Sequence, residues 1–107
     1  MIIDPDENFF ERADAHIHLA NEQVKMIENG KVSASMMFAV ARFNAWINAG
    51  QFNSSQEMEA AKSEALEYFS NEYRKMLEEN LNDYIKNFNQ YMGIKTDSLT
   101  PTLKLVD

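Results

Sequence analysis

The stretch SASMMFAVARFNAWINA at residues 33–49 is apolar on almost every side when it is wound into a helix. Arg42, Asn44 and Asn48 are its only strongly polar interruptions. A helix without a polar face has to be surrounded by protein or lipid. A stretch of about 17 residues with an arginine and two asparagines is too short and too polar to cross a bilayer. The sequence therefore predicts the buried central helix of a small soluble bundle that does not bind a membrane.

Length and composition limit the class of protein. The 107 residues suffice for one domain but not for a barrel or a doubly wound sheet. The absence of cysteine suits a reducing compartment, and the opening residues lack the features of a secretory signal peptide, so we expect a cytoplasmic protein. The net charge of −7 makes the protein acidic and disfavours nucleic acid as a partner, because such binding depends on a basic surface.

A first amphipathic helix is predicted before this stretch. Asp4 suits its N-cap position, with Pro5 as the first helical residue, and Asn29-Gly30 is a typical helix end. The apolar residues of this segment share one helical face: Phe10, Ala13, Ile17, Ala20, Val24 and Ile27. Ser33 is then expected to cap the central helix and Gly50 to end it. The short connection predicts that the two helices are antiparallel.

A long third helix is predicted after the central one. Ser54 and Glu57 form a capping-box pattern at its start, and neither proline nor glycine follows until Gly93. One helix of this length would reach about 57 Å, against roughly 35 and 25 Å for the first two. It must therefore bend, with Ser70-Asn71 as the expected place, or project beyond the bundle. Projection would expose the apolar residues of its distal end, Tyr84, Ile85, Phe88 and Tyr91. Such a stripe predicts a homodimer interface with twofold symmetry.

Together these patterns predict an all-α fold. Residues 1–92 form an antiparallel three-helix bundle with a long, bent or projecting third helix, and residues 93–107 form an extended C-terminal tail. No repeat or second domain is evident.

Two polar features indicate an alternative role in ligand binding. Asp14, His18 and Glu22 recur at steps of four on one helical face, a spacing that suits a divalent cation or a carboxylate-oriented imidazole. Arg42 lies midway along the most apolar helix, where a buried guanidinium requires a carboxylate partner. The candidate partners are spread over two other helices: Asp14, Glu22, Glu64 and Glu72. Arg42 is expected to form a structural ion pair or to anchor a small anion.

Catalytic signatures are missing from the sequence. There is no cysteine, no activated-serine turn and no phosphate-binding glycine loop. The segment Asp14-Ala15-His16-Ile17-His18 resembles the D-x-H-x-H opening of amidohydrolases. On a helix, however, residues two apart point about 200° apart, so His16 and His18 cannot hold one metal. We therefore expect neither an enzyme nor a resident metal or cofactor.

Three runs of sequence resemble one family. They are FFERADAHIHLANEQ at 9–23, KVSASMMFAVARFNAWINA at 31–49 and EYFSNEYRKMLEENLNDYIKNF at 67–88. Their order is similar to that of DUF3144, a family of small proteobacterial proteins of unknown function, and the similarity reaches about Tyr91. The resemblance implies a small cytoplasmic bacterial protein and supplies no activity, cofactor or site residue. The sequence thus predicts a homo-oligomeric protein-interaction module with an unidentified protein partner. The alternative is a small-molecule or metal-binding bundle.

Overall fold

The computed structural model describes residues 6–94, and the regular structure in that part of the chain is entirely α-helical. Five helices follow one another: α1 (Phe9–Val24), α2 (Asn29–Ala49), α3 (Ser55–Ala60), α4 (Lys62–Lys86) and α5 (Phe88–Tyr91). The predicted all-α class is therefore confirmed. The predicted Asp4 cap and residues 95–107 of the predicted tail lie outside the described residues.

The first helix begins at Phe9, four residues later than predicted. Asp6 organises this start, because its carboxylate accepts a hydrogen bond from the backbone N–H of Asn8 at 2.8 Å and one from the Arg12 guanidinium at 2.8 Å. The hydrogen bond from Arg12 stabilises the charged carboxylate and lowers the pKa of Asp6 below its usual value. The same bond raises the pKa of Arg12.

The junction between α1 and α2 lies earlier than predicted. Helix α1 ends at Val24, and Asn29 and Gly30 are the first two residues of α2, so Gly30 does not close a helix and Ser33 does not cap one. Glu28 precedes α2 in an extended conformation, and its carboxylate at this position interacts favourably with the helix dipole. The end of α2 agrees with the prediction, since Gly50 follows its last residue.

The predicted third helix is divided into three. The predicted N-cap is confirmed, because the Ser54 hydroxyl accepts from the Glu57 N–H at 3.2 Å. The reciprocal bond reaches one residue further back than in a capping box, because the Glu57 carboxylate accepts from the Asn53 N–H at 2.9 Å. The break falls at Ala61, where the backbone leaves helical geometry, and α4 continues as a helix through residues 70 and 71. The bend expected at Ser70-Asn71 is therefore wrong.

A second break separates α4 from α5 at Asn87. The Asp83 carbonyl oxygen accepts from the Asn87 side-chain amide at 3.1 Å and from the Asn87 backbone N–H at 3.0 Å. The same kind of bond from Asn80 to the Met76 carbonyl, at 2.7 Å, leaves α4 unbroken, so this bond alone does not explain the break. Helix α5 then closes as predicted at Gly93, whose φ is 71°. The N–H groups of Gly93 and Ile94 donate to the carbonyls of Gln90 and Asn89, which is the Schellman pattern of helix termination.

Packing between the helices is sparse. The close approaches join α1 to α2, α3 to α4, and α4 to α5. Among the described residues only Ala20 on α1 and Val32 on α2 are buried, each 4% exposed. The radius of gyration is 17.3 Å, whereas a compact domain of 100 residues has about 13 Å. The structure does not confirm an antiparallel three-helix bundle around a common core.

Candidate functional site

An exposed apolar stripe runs along the distal half of α4 and into α5. We call it the outer stripe; its residues are Tyr73, Leu77, Leu81, Ile85 and Phe88. The steps of four from Tyr73 to Ile85 bring these side chains to one side of α4, and Phe88 follows in α5 after the break at Asn87. Ile85 is 72% exposed, and the other four each have roughly half of their surface in contact with solvent. Exposure of these side chains agrees with the prediction for this end of the chain, whereas projection beyond the other helices stays a prediction.

The four residues predicted as an interface divide into two pairs. Ile85 and Phe88 belong to the outer stripe and are exposed. Tyr84 and Tyr91 are half-buried and contact each other, with ring centroids 4.7 Å apart. The Tyr91 hydroxyl donates to the Asp83 carboxylate at 3.3 Å, which raises the pKa of Tyr91 because the tyrosinate would lose this bond and be repelled. The two tyrosines fasten α5 to α4 and so help to position the exposed pair.

The central helix is exposed rather than buried, which corrects the prediction for residues 33–49. Phe38 and Trp46 are 69% and 71% exposed, and Phe43 contacts Trp46 with ring centroids 5.7 Å apart. With Met58 of α3 on its far side, this surface forms a groove of about 970 Å³. We call it the α2 groove; it includes Phe38, Ala39, Arg42, Phe43, Trp46 and Met58. The buried residue of α2 is Val32, near its start, whereas Phe38, Phe43 and Trp46 farther along stay exposed.

Arg42 lies on the exposed side of α2 and not in a buried ion pair. Within residues 6–94 no carboxylate lies within 4.0 Å of its guanidinium. Two of the carboxylates predicted as partners are engaged locally: Glu22 with Lys25 at 3.1 Å and Glu72 with Lys75 at 3.0 Å. The prediction failed because it took α2 for a buried helix; in water a guanidinium needs no partner.

The predicted polar cluster of α1 does not converge on one point. His18 and Glu22 are exposed, whereas Asp14 is half-buried, with Oδ1 shielded from solvent and not hydrogen-bonded within the described residues. Glu22 pairs with Lys25 instead of His18. In the part of the chain that the structure describes, no group of three or more histidine, cysteine or acidic side chains is arranged to hold a metal ion. The cluster remains a prediction without a supporting geometry.

Comparison with known proteins assigns the chain to a family. The model of DUF3144, described as a protein of unknown function, matches residues 9–85, which is more than half of the chain. The chain belongs to the DUF3144 family. An NMR structure of the protein NB7890A from Shewanella sp. is similar to it, with 38% sequence identity and a TM-score of 0.73. That match covers 88% of this chain and 100% of the Shewanella chain. No curated protein matches the chain.

The family match spans α1 to nearly the end of α4 in this DUF3144 chain, and it includes both exposed surfaces except for Phe88. Neither the family description nor the Shewanella protein's printed name states an activity. Among the described helices none is both long and apolar enough to span a membrane.

The DUF3144 chain also contains a cavity that the sequence did not reveal. It lies between the C-terminal half of α2 and the first turns of α4 and has a volume of about 480 Å³. Ala41, Met58 and Phe69 give it apolar walls, and the half-buried amides Asn44 and Asn48 lie on one side. Its residues come from three helices, so no local pattern could have marked them. Asn44 and Asn48 four residues apart on an apolar helix were the only available signal.

Proposed function

We propose that this DUF3144 protein is a non-catalytic interaction module that works as a homodimer in the cytoplasm. The single observation that supports it is the outer stripe: an apolar row along α4 and α5 that no other part of the described chain covers. Large uncovered apolar surfaces are unusual on monomers and mark sites of association. Cytoplasmic location is supported by the absence of cysteine in the full sequence.

The free energy available from the outer stripe is moderate. The exposed parts of Leu77, Leu81, Ile85 and Phe88 add up to about two whole side chains, which corresponds to about 4 kcal/mol per chain when buried. Two chains therefore gain about 8 kcal/mol, comparable with the estimated 4–15 kcal/mol that association costs. The stripe can contribute much of a dimer interface, and a tight dimer requires a second surface as well.

Light scattering on the purified protein tests the proposal. We expect the wild type to have the mass of two chains and the double variant Ile85→Ala with Phe88→Ala to shift toward one. A matched control replaces Leu19 and Met26 by alanine, two exposed apolar residues outside both surfaces. A wild-type mass of one chain at all concentrations would refute the homodimer. An equal shift in the control would show that the effect is not specific to the stripe.

A second candidate function is small-molecule binding, and the cavity between α2 and α4 favours it. Its volume of about 480 Å³ lies within the range of ligand sites, roughly 300–1,000 Å³, and its apolar walls with two amides suit a neutral, mainly apolar compound. A melting-temperature screen tests this, because a ligand of the native state raises the midpoint. If Asn44→Ala abolishes the shift in melting temperature, the ligand binds in the cavity. If His18→Ala or Arg42→Ala abolishes it, the ligand binds at the residues predicted from sequence. No shift with any compound would argue against ligand binding.

A further inference from the structure

Two apolar surfaces of the chain are exposed at the same time. The α2 groove is an open surface on which Met58 of α3 flanks the aromatic residues of α2. The outer stripe runs along α4 and, past the break at Asn87, reaches Phe88 of α5, with Ile85 as its most exposed member. Rows of side chains on one helix pack into the grooves between the rows of another. A dimer that joins the groove of one chain to the stripe of the other covers both surfaces.

The two helices also differ in charge. Helix α2 contains Lys31 and Arg42 and no acidic residue, which gives it a formal charge of +2. Helix α4 contains six carboxylates against four cations and has a formal charge of −2. These are totals for whole helices, and the charges beside the outer stripe itself are those of Arg74 and Glu78. Opposite charges on facing surfaces guide association and fix its register. Arg42 lies within the α2 groove, and Glu78 lies beside the outer stripe, one turn before Leu81 and Asn82. Neither has an ion pair within residues 6–94.

We infer that the α2 groove is the seat for the outer stripe of a second copy of this chain, with Arg42 facing Glu78 of that copy. This inference rests on the homodimer proposed above and specifies how the two chains meet. In a twofold arrangement each chain supplies one groove and one stripe, so both contacts form twice. Pairing of stripe with stripe would instead leave Phe38, Phe43 and Trp46 in water.

The areas agree with what a stable dimer requires. An aromatic side chain has about 200 Å² to bury, so the exposed parts of Phe38, Phe43 and Trp46 amount to about 400 Å². The outer stripe adds a similar area per chain, and the total approaches the roughly 800 Å² per partner of a standard interface. The lengths also match: residues 38–49 span about 16 Å of α2, and the part of the outer stripe within α4, residues 73–85, spans about 18 Å.

Cross-linking of single-cysteine variants tests the arrangement, because the native chain has no cysteine. Ala39→Cys places a thiol in the α2 groove and Asn82→Cys places one beside the outer stripe. The two variants are mixed, one with a size tag, and treated with a short bismaleimide. We expect the mixed product to exceed either self-linked product. Glu11→Cys, on the exposed side of α1, replaces Asn82→Cys in the control mixture and should give little mixed product.

Each other outcome overturns a defined statement. A dominant self-linked product of Asn82→Cys would show that stripe pairs with stripe. Light scattering at the mass of two chains without any mixed product would show that the dimer exists but does not use the α2 groove. A mass of one chain would refute the homodimer itself. Failure of this inference is therefore distinguishable from failure of the proposed function.

Charge exchange tests the contact between Arg42 and Glu78. Arg42→Glu and Glu78→Arg each place like charges opposite one another, and we expect each to weaken the dimer by about tenfold or more. The combined variant restores the pair with its charges reversed and is expected to return within about threefold of the wild type. Glu59→Arg, an exposed charge change on α3, serves as the control. Weakening by both single variants without recovery in the combined variant would overturn this contact.

Discussion

Replacing Trp46 by alanine is expected to weaken self-association by about a thousandfold in Kd. A tryptophan side chain presents about 200 Å². The 71% exposure of Trp46 thus leaves about 140 Å² to be covered by a partner, which corresponds to about 3.5 kcal/mol if it is fully removed from water. Alanine retains part of this surface and burial in an interface is incomplete, so we expect each Trp46→Ala substitution to cost about 2 kcal/mol of binding free energy. Two sites in a symmetric dimer give about 4 kcal/mol.

Sedimentation equilibrium over a wide range of concentration measures this change. Fluorescence is suited only to the wild type, because Trp46 is the only tryptophan in the chain; its emission should shift to shorter wavelength as the concentration rises. Met26→Ala is the matched control, since Met26 is 90% exposed in the link between α1 and α2 and lies outside both apolar surfaces. Far-ultraviolet circular dichroism checks that the helices persist in both variants.

Two results would refute the reasoning. An unchanged Kd in Trp46→Ala would show that the α2 groove remains in water in the assembled protein. Wild-type emission that is independent of concentration, while the mass changes from one chain to two, would lead to the same conclusion by an independent route.

Three further predictions concern the local structure. Ser54→Ala removes the acceptor for the Glu57 N–H and is expected to lower the free energy of unfolding by about 1 kcal/mol, measured by thermal unfolding, whereas Ser55→Ala should change it little. Gly30→Ala is expected to stabilise the protein by up to about 1 kcal/mol, since Gly30 is helical and an added Cβ meets nothing within 4 Å. Gly93→Ala is expected to destabilise it by about 1 kcal/mol or more, since the φ of Gly93 is 71°. Chemical unfolding measures both, and changes of the same sign in the free energy of unfolding would contradict this prediction. Arg12→Ala should raise the pKa of Asp6 back toward 3.8, which NMR titration measures. Because this pKa is lowered in the folded state, the Asp6–Arg12 contact stabilises the fold at neutral pH, and this stabilisation is lost as the pH falls through the folded pKa. An Asp6 pKa that does not move in the variant would show that Arg12 is not its cause.

Features that depend on neighbouring residues were predictable from sequence. The N-cap bond between Ser54 and Glu57, the end of α2 at Gly50 and the termination at Gly93 all use side chains or backbone freedom within one turn. The break at Ala61 was not predictable, because alanine favours helix and neither proline nor glycine is nearby. The break at Asn87 was not predictable either, because Asn80 makes the same kind of hydrogen bond to a carbonyl four residues earlier and α4 continues through it.

The candidate surfaces were predictable only in part, and the reason is general. Ile85 and Phe88 were predicted from a helix too long for its neighbours, and both are exposed. Phe38 and Trp46 were predicted to be buried, because an all-round apolar helix has to be covered. That requirement is sound, but it does not say which chain provides the cover. Hydrophobic pattern measures the surface that must leave water, and a core within one chain and an interface between two chains satisfy it equally.

The same reasoning explains why one chain has two complementary exposed surfaces and so small a core. Ala20 and Val32 are the only buried side chains of the described residues, which is little apolar burial for a chain of 107 residues. If the α2 groove and the outer stripe of two chains cover each other, the missing core is shared between the copies and folding becomes coupled to association. The melting temperature should then rise with protein concentration in the wild type, and Trp46→Ala should melt at a lower temperature than the wild type at every concentration. A melting temperature that is equally insensitive to concentration in both proteins would mean that the single chain is stable with its central helix in water.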